Sequence, residues 1–205
     1  MFNTDELFQD YLARLYHSAK ALQSLTPSQI QTLTRQGICI TYGEMLYPSM
    51  RQILKMLRLS RQDIFLDLGS GLGKCALQTF MQTEVNKVIG IEAASFLHQQ
   101  AIMVAQEVKK DFPFFWEDQR ELIFVEENFL TAQWHHATVV YSCSTCFTQE
   151  LLVAIGDRIN QQPSINQVLS LRPLPTLSLP LKSVYPVECS WDSALCFHYA
   201  RLLPT

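Results

Sequence analysis

The sequence predicts an α/β fold in which five parallel strands are finished by a C-terminal antiparallel hairpin, seven strands in all, behind an N-terminal helical cap. Three observations predict it. Short, nearly continuous apolar runs, Ile64-Phe65-Leu66-Asp67-Leu68 first among them, have the pattern of strands buried on both faces. These runs alternate with helical stretches, a rhythm that builds a parallel sheet through right-handed crossovers. The rhythm breaks at the end, where two β-rich stretches, residues 184–191 and 195–203, are separated by Asp192-Ser193-Ala194. A spacer that short permits an antiparallel pair and no crossover.

In chain order, the first 36 residues read as two helices. Leu7, Phe8, Tyr11, Leu12, Leu15 and Tyr16 recur at three- and four-residue spacing, one face of a helix. Thr26-Pro27 reads as an N-cap followed by a first-turn proline, and Gly37 as a stop. Residues 48–58 form a third helix, opened by Pro48 and Ser49, with Met50, Ile53, Leu54 and Leu57 inward. After the strand at 64–68 come the glycine turn Gly69-Ser70-Gly71-Leu72-Gly73 and a helix through Phe80. Val88-Ile89-Gly90-Ile91-Glu92 is the second strand, and residues 94–110 are helical. Leu122-Ile123-Phe124-Val125 and Thr138-Val139-Val140-Tyr141 are the third and fourth strands. A helix over 147–161 precedes the fifth, Val168-Leu169-Ser170-Leu171. A loop holding Pro173, Pro175 and Pro180 leads into the hairpin.

Composition narrows the function classes. The chain has 205 residues, 48% of them hydrophobic, and 17% charged against a typical ~25%. That excludes a disordered chain, and the length supports a full core without disulfide staples. A net charge of −3 argues against a protein that runs along nucleic-acid phosphates. No apolar run approaches the ~20 residues that span a bilayer. Met1–Glu6 carries an early acidic pair and no basic region, so no secretory signal is expected. The cysteines at 39, 75, 143, 146, 189 and 196 are therefore expected to be reduced thiols, in a cytoplasmic protein.

The strongest motif is Asp67-Leu68-Gly69-Ser70-Gly71-Leu72-Gly73. Glycines after a first strand allow a tight turn and a close approach of backbone to ligand at the carboxyl edge of the sheet. The spacing is Gly-x-Gly-x-Gly, not the Gly-x-Gly-x-x-Gly of nicotinamide enzymes. Asp67 would repel a pyrophosphate but suits a sulfonium or ammonium cation. Glu92 ends the second strand about 20 residues on, where an acid hydrogen-bonds ribose hydroxyls. Acid, glycines and second acid together point to S-adenosyl-L-methionine. Helix capping alone accounts less well for two acids at the carboxyl edge.

The chain resembles the catalytic domain of Dot1-type histone lysine methyltransferases and their small prokaryotic relatives, from about Ile40 to Arg201. Ile40-Thr41-Tyr42-Gly43-Glu44 is similar to that family's Tyr-Gly-Glu loop, which closes over the methionine end of the cofactor. Phe65 to Gly73 resembles its cofactor loop, Gly90-Ile91-Glu92 its ribose acid, and Glu127-Asn128-Phe129-Leu130 its adenine segment, with Asn128 in place of an acid. Ser170-Leu171-Arg172-Pro173 and Ser190-Trp191 resemble later family segments. The resemblance implies a Rossmann-like class I methyltransferase domain over residues 61–205, behind a cap and cofactor-closing loop over residues 1–60. It implies cofactor contacts from Tyr42, Glu44, Asp67, Gly69, Ser70, Gly71, Gly73, Lys74, Glu92, Asn128 and Phe129. It implies an acceptor channel shaped by Tyr141, Cys143, Phe147, Trp191, His198 and Tyr199.

The departures fall on the acceptor half. Cys143 stands where eukaryotic members carry a channel asparagine, and His198 takes one place of an aromatic pair. No lysine-rich segment resembles the one with which eukaryotic members hold nucleosomal DNA. Three readings stay open on the sequence: a protein lysine N-methyltransferase, a methyltransferase for a small amine or another nucleophile, and a non-catalytic S-adenosylmethionine-binding protein. Cys143-x-x-Cys146 has no second metal-ligand pair at matching spacing, so no metal is expected. His135-His136 reads as a solvated loop, Phe112-Pro113-Phe114-Phe115 and Trp116 as edge packing, and Lys109-Lys110 as charges at a helix C-terminus.

Overall fold

A computed structural model describes residues 4–18, 26–35 and 43–201. The predicted stop at Gly37 and the aromatic Tyr42 lie outside them. The elements run α1 (Thr4–Ser18), α2 (Pro27–Arg35), α3 (Tyr47–Leu57), β1 (Ile64–Leu68), α4 (Lys74–Gln82), β2 (Lys87–Glu92) and α5 (Ser95–Asp111). A 3₁₀ turn at Pro113–Trp116 leads to β3 (Glu121–Glu126), β4 (Val139–Ser142), α6 (Gln149–Asn160), β5 (Gln167–Ser170), β6 (Leu181–Glu188) and β7 (Ser193–Ala200).

The strands form one seven-stranded sheet in the order β3-β2-β1-β4-β5-β7-β6. β1 to β5 are parallel, β7 is antiparallel to both neighbours, and β6 therefore points the same way as the first five. The order reverses between β1 and β4, and a doubly wound sheet binds its ligand at the carboxyl ends beside that switch point.

Alternation along the strands loads both faces. Phe65, Val88, Val139, Tyr141 and Leu169 pack with Met50, Ile53 and Leu54 of α3 and Ala76 and Phe80 of α4. Leu66, Leu68, Ile89, Ile91, Val140 and Val168 pack with Leu152, Ile155 and Ile159 of α6 on the other face. Helix α1 forms a third layer: Leu12 and Tyr16 pack with Leu72, Leu77, Leu97 and Val104. The aromatic cluster after α5 receives this helix. Tyr11 meets Phe112 edge-on at 4.9 Å, Phe8 lies 5.2 Å from Phe112, and the Tyr11 hydroxyl donates to Asp111 at 2.8 Å. Helix α6 begins two residues later than its periodicity suggests because Thr148 is its N-cap, its Oγ1 accepting from the Leu151 N–H at 3.3 Å.

The hairpin is shifted from its predicted position. Its strands end at Glu188 and resume at Ser193, three residues earlier than the apolar pattern indicates at the first boundary. The cause is competition for backbone pairing. Residues 188–190 turn outward and pair with the segment 44–46: Leu46 N–H donates to Glu188 O, Ser190 N–H to Glu44 O, and Met45 bridges Cys189. The Cys189 N–H closes the turn on Asp192 O at 2.9 Å. The β6–β7 turn thus anchors the segment after Tyr42 beside the sheet's carboxyl edge.

Candidate active site

The glycine turn at the end of β1 has the backbone its composition requires. Gly69, Gly71 and Gly73 adopt φ of 75°, 54° and 77°, left-handed values that a side chain disfavours. The turn hangs from β2: the Gly69 and Ser70 N–H groups both donate to Ile91 O, at 2.9 and 3.0 Å. Glu92 holds it from the other side, its carboxylate accepting from Gly71 N–H at 2.9 Å and Ala94 N–H at 2.8 Å. A carboxylate has about four acceptor positions, and the Ala93 N–H is also turned to this one, so about one remains for a ligand's hydroxyl.

The site's electrostatics are those of a cation receptor. Asp67 is buried, 2% exposed, with no cationic partner among the described residues. Its carboxyl is pushed up to about 8, chiefly by burial and then by the charge of Glu92, against a lowering from the Ala76 N–H. Burial likewise raises Glu92, opposed by the N–H groups of Ala94, Gly71 and Ala93. Glu44 forms an ion pair with Lys74, the first residue of α4, and the Lys74 ammonium lies 4.9 Å from the centroid of the Tyr16 ring. The buried Ser70 Oγ has no hydrogen-bond partner among the described residues. An acid held protonated by burial, an unmatched hydroxyl and side-chain-free backbone fit a ligand with a cationic end.

The remaining predicted residues divide into two groups. Cys143, Phe147 and Trp191 gather at the carboxyl edge. The Cys143 thiol donates to Gly43 O at 3.3 Å, and burial raises its pKa. A Cβ on Gly43 would stand 2.3 Å from the Trp191 ring, so that indole, 45% exposed, packs directly against Gly43. Phe147 packs 5.6 Å from Phe129 and would lie 3.5 Å from a Cβ on Gly69. The Asn128 Oδ1 accepts from Leu130 N–H at 2.9 Å, which leaves one lone pair and its amide protons for a ligand.

Tyr141, His198 and Tyr199 are buried within the sheet, Tyr141 paired with Asp67 in register. Tyr141 is 1% exposed, stacked on Phe65, with its hydroxyl at the Cys75 thiol inside the core. His198 and Tyr199 pair with Leu169 and Val168, while Phe197 faces Ser170 at the carboxyl end of β5. His198 thus stands in the cross-strand row of Asp67, Tyr141 and Leu169, and Tyr199 one residue deeper. Adjacent strand residues also point to opposite faces. His198 Nε2 meets Gln167 Oε1 at 3.1 Å, and burial lowers its pKa. The Tyr199 hydroxyl accepts from Leu174 N–H at 3.3 Å on the α6 side.

Two residues outside the predicted set shape the site. The Phe124 ring would lie 2.6 Å from a Cβ on Gly73 and 2.8 Å from one on Gly90, so it fills the space both glycines leave. Gly90 beside Asp67 in the sheet register is the sequence signal for such a close approach. Tyr16 belongs to an ordinary amphipathic face, and nothing in its spacing marks it. Among the described residues, no group of three or more His, Cys, Asp or Glu could hold a metal ion, and Cys75, Cys143, Cys146, Cys189 and Cys196 form no disulfide.

This sheet order with an acid–glycine–acid edge is that of the Rossmann-like class I methyltransferase fold. The profile of the family described as "Histone methylation protein DOT1" matches residues 27–184, and the chain belongs to that family. It is 27% identical over 126 residues to a Caenorhabditis elegans protein named "Histone-lysine N-methyltransferase, H3 lysine-79 specific". That match takes in 59% of this chain and 13% of the worm protein, so the chain spans about an eighth of its relative's length. Solved structures share the fold at low identity. A magnesium protoporphyrin IX methyltransferase from Synechocystis PCC 6803 with bound cofactor superposes with a TM-score of 0.60 at 10% identity, covering 98% of this chain and 99% of that one. An RNA methyltransferase from Salinibacter ruber in complex with S-adenosyl-L-homocysteine gives 0.53 at 18% identity, over 77% and 94%. No described helix is long and apolar enough to cross a membrane.

Proposed function

We propose that the protein N-methylates a lysine side chain of a protein substrate. S-adenosylmethionine supplies an activated methyl group carried on a sulfonium. Asp67 and Glu44 take the cationic part of its methionine end, with Lys74 beside them, and Tyr42 is the residue that the family resemblance assigns to the same end. Gly69, Ser70, Gly71 and Gly73 admit the backbone of the turn to close approach. Glu92 holds the ribose, and Asn128 and Phe129 border the adenine. Cys143, Phe147 and Trp191 rim the acceptor opening.

The observation that carries the acceptor assignment is the character of that rim. Two aromatic rings and a neutral thiol face the edge next to the anchored 43–46 segment. A lysine ammonium entering such surroundings loses hydration, which favours the neutral amine that direct displacement needs. Holding that nitrogen about 3–3.5 Å from the methyl carbon then supplies most of the acceleration. The family membership and the worm relative's name support a protein lysine as acceptor.

The test is tritiated methyl transfer from S-adenosylmethionine into a cell lysate and into purified histones, with Gly71→Arg as the inactive control. The expected result is label in protein, recovered as methyl-lysine and absent with the control. Label confined to low-mass material would replace the protein acceptor by a small amine. Cofactor binding without transfer to either would leave a binding protein.

A further inference from the structure

Cys143 and Phe147, two of the three residues at the rim, sit on a stretch with no regular structure of its own. Residues 143–148 join β4 to α6. The turn closes on itself once, Phe147 N–H donating to Ser144 O at 3.1 Å. The Phe147 carbonyl precedes the N-cap Thr148, so it lies outside the α6 ladder and needs a donor from elsewhere. Arg172 supplies that donor from the chain after β5, its Nη1 donating to Phe147 O. The backbone N–H of the same residue donates to Ser144 Oγ at 3.1 Å. Ser144 Oγ in turn lies 2.7 Å from Ser170 Oγ, and both serines are fully buried. One arginine thus grips the turn at both of its ends.

A hydrogen bond from a charged donor is roughly twice as strong as a neutral one. Among the described residues no carboxylate pairs with the Arg172 guanidinium and competes for it. Arg172 is itself fixed on both sides. Leu171 N–H donates to Ser142 O at 3.3 Å, and Pro173 restricts the backbone that precedes it. What the grip secures is the seat of the Phe147 ring, 5.6 Å from Phe129 and facing Gly69. The glycine turn hangs from different struts, Gly69 and Ser70 on Ile91 O and Gly71 on Glu92. Loss of the Arg172 side chain therefore loosens the rim and leaves the glycine turn in place.

We propose that Arg172 is a positioning residue for methyl transfer, holding Phe147 and Cys143 in the geometry that seats the acceptor nitrogen. This rests on the reading that these two residues rim the acceptor opening. It joins two stretches that are separate in sequence, Ser144-Thr145-Cys146-Phe147 and Ser170-Leu171-Arg172-Pro173. Direct displacement tolerates little error in that seat, and a misplacement of about 1 Å costs on the order of 100-fold in rate. Arg172 thus governs the transfer rate and not the affinity for the cofactor.

The test compares Arg172→Met, whose side chain cannot donate, with Arg172→Lys, whose side chain can. Each full-chain variant is followed by melting curve, by hydrogen exchange over residues 143–148, and by tritiated methyl transfer from S-adenosylmethionine into purified histones and lysate protein. In Arg172→Met, exchange over that stretch should speed up and the transfer rate at saturating S-adenosylmethionine should fall, each by about 10- to 100-fold, the range for a lost hydrogen bond to a charged group. The KM for S-adenosylmethionine and the affinity for S-adenosylhomocysteine should stay at their wild-type values, the mark of an interaction that matters only in the transfer step. Arg172→Lys should restore most of the rate. Ser144→Ala removes the second grip alone and serves if Arg172→Met does not fold; it should lower the rate in the same way by a smaller factor. Cofactor affinity lost in step with the rate would overturn the proposal in favour of general damage to the edge. An unchanged rate, unchanged exchange, or a lysine variant no better than the methionine one would overturn it outright. Wild-type protein that binds S-adenosylhomocysteine but labels no protein would instead sink the protein-acceptor reading, and the positioning role with it.

Discussion

Asp67→Asn should abolish tight cofactor binding and raise the melting temperature. The two effects have one origin. Asp67 is buried without a cation, and its carboxyl sits at about 8 instead of the ordinary 3.8. A folded-state value above the unfolded one means that ionisation opposes folding. The destabilisation is absent below the unfolded pKa, grows as pH rises through 3.8, and levels off above 8. Each pH unit inside that window is worth on the order of 1.4 kcal/mol, so at neutral pH the wild type gives up a few kcal/mol. Asparagine keeps the shape and an oxygen for the Ala76 N–H but carries no charge. The variant should match the wild type near pH 4 and melt several degrees higher near pH 8, at about 2–4 °C per kcal/mol for a chain of this length. Its affinity for S-adenosylhomocysteine should fall by about 10- to 100-fold, the cost of losing a charged partner. Thermal melts across pH together with calorimetry check both halves. A variant that binds as tightly as the wild type would mean that Asp67 does not face the cofactor.

Gly73→Ala should be the most damaging single methyl in the glycine turn. The position has φ 77°, which costs a residue with a side chain about 1–2 kcal/mol. Its Cβ would also stand 2.6 Å from Phe124 Cζ and 3.0 Å from Ala101 Cβ. Phe124 has nowhere to go, because the same ring is wedged on Gly90. Overpacking of this kind costs about 1–3 kcal/mol more. The melting temperature should drop by roughly 5–15 °C, with cofactor affinity lost alongside. Phe124→Leu in the same chain should recover part of both, since a smaller side chain vacates the contested space. A Gly73→Ala protein that melts with the wild type would show that the turn relaxes freely, and the packing account of Gly73 and Gly90 would fail.

The parallel core was legible because its signals are local. Apolar runs buried on both faces, helical stretches between them and one glycine turn specify β1 to β5 within a residue or two at each end. The hairpin was legible as a hairpin and misplaced in register. Its turn is set by a contact between residues 44–46 and 188–190, and sequence distance hides such pairing. The cofactor edge follows the same division. Asp67, the three glycines and Glu92 lie within one β-turn-α-β unit, and motif spacing finds them. Tyr16 reaches the site through tertiary packing of a helix whose own pattern says no more than amphipathic. His198 and Tyr199 invited assignment to a channel by resemblance alone. The pleat sends them to opposite faces, His198 level with Asp67 and Tyr199 one residue deeper on the α6 side.

The central claim is that the carboxyl edge of this sheet receives the cationic end of S-adenosylmethionine at Asp67. Its most direct measurement is the affinity for S-adenosylhomocysteine between pH 6 and 8, for wild type and Asp67→Asn. If the ionised carboxylate is the binding form, the wild-type association constant rises by close to tenfold per pH unit, about one proton is released on binding at the acid end, and the curve bends near pH 8. The Asp67→Asn curve stays low and loses that slope. A wild-type affinity that is flat across this range, or an Asp67→Asn protein with the same slope, would place the cationic end elsewhere and contradict the account.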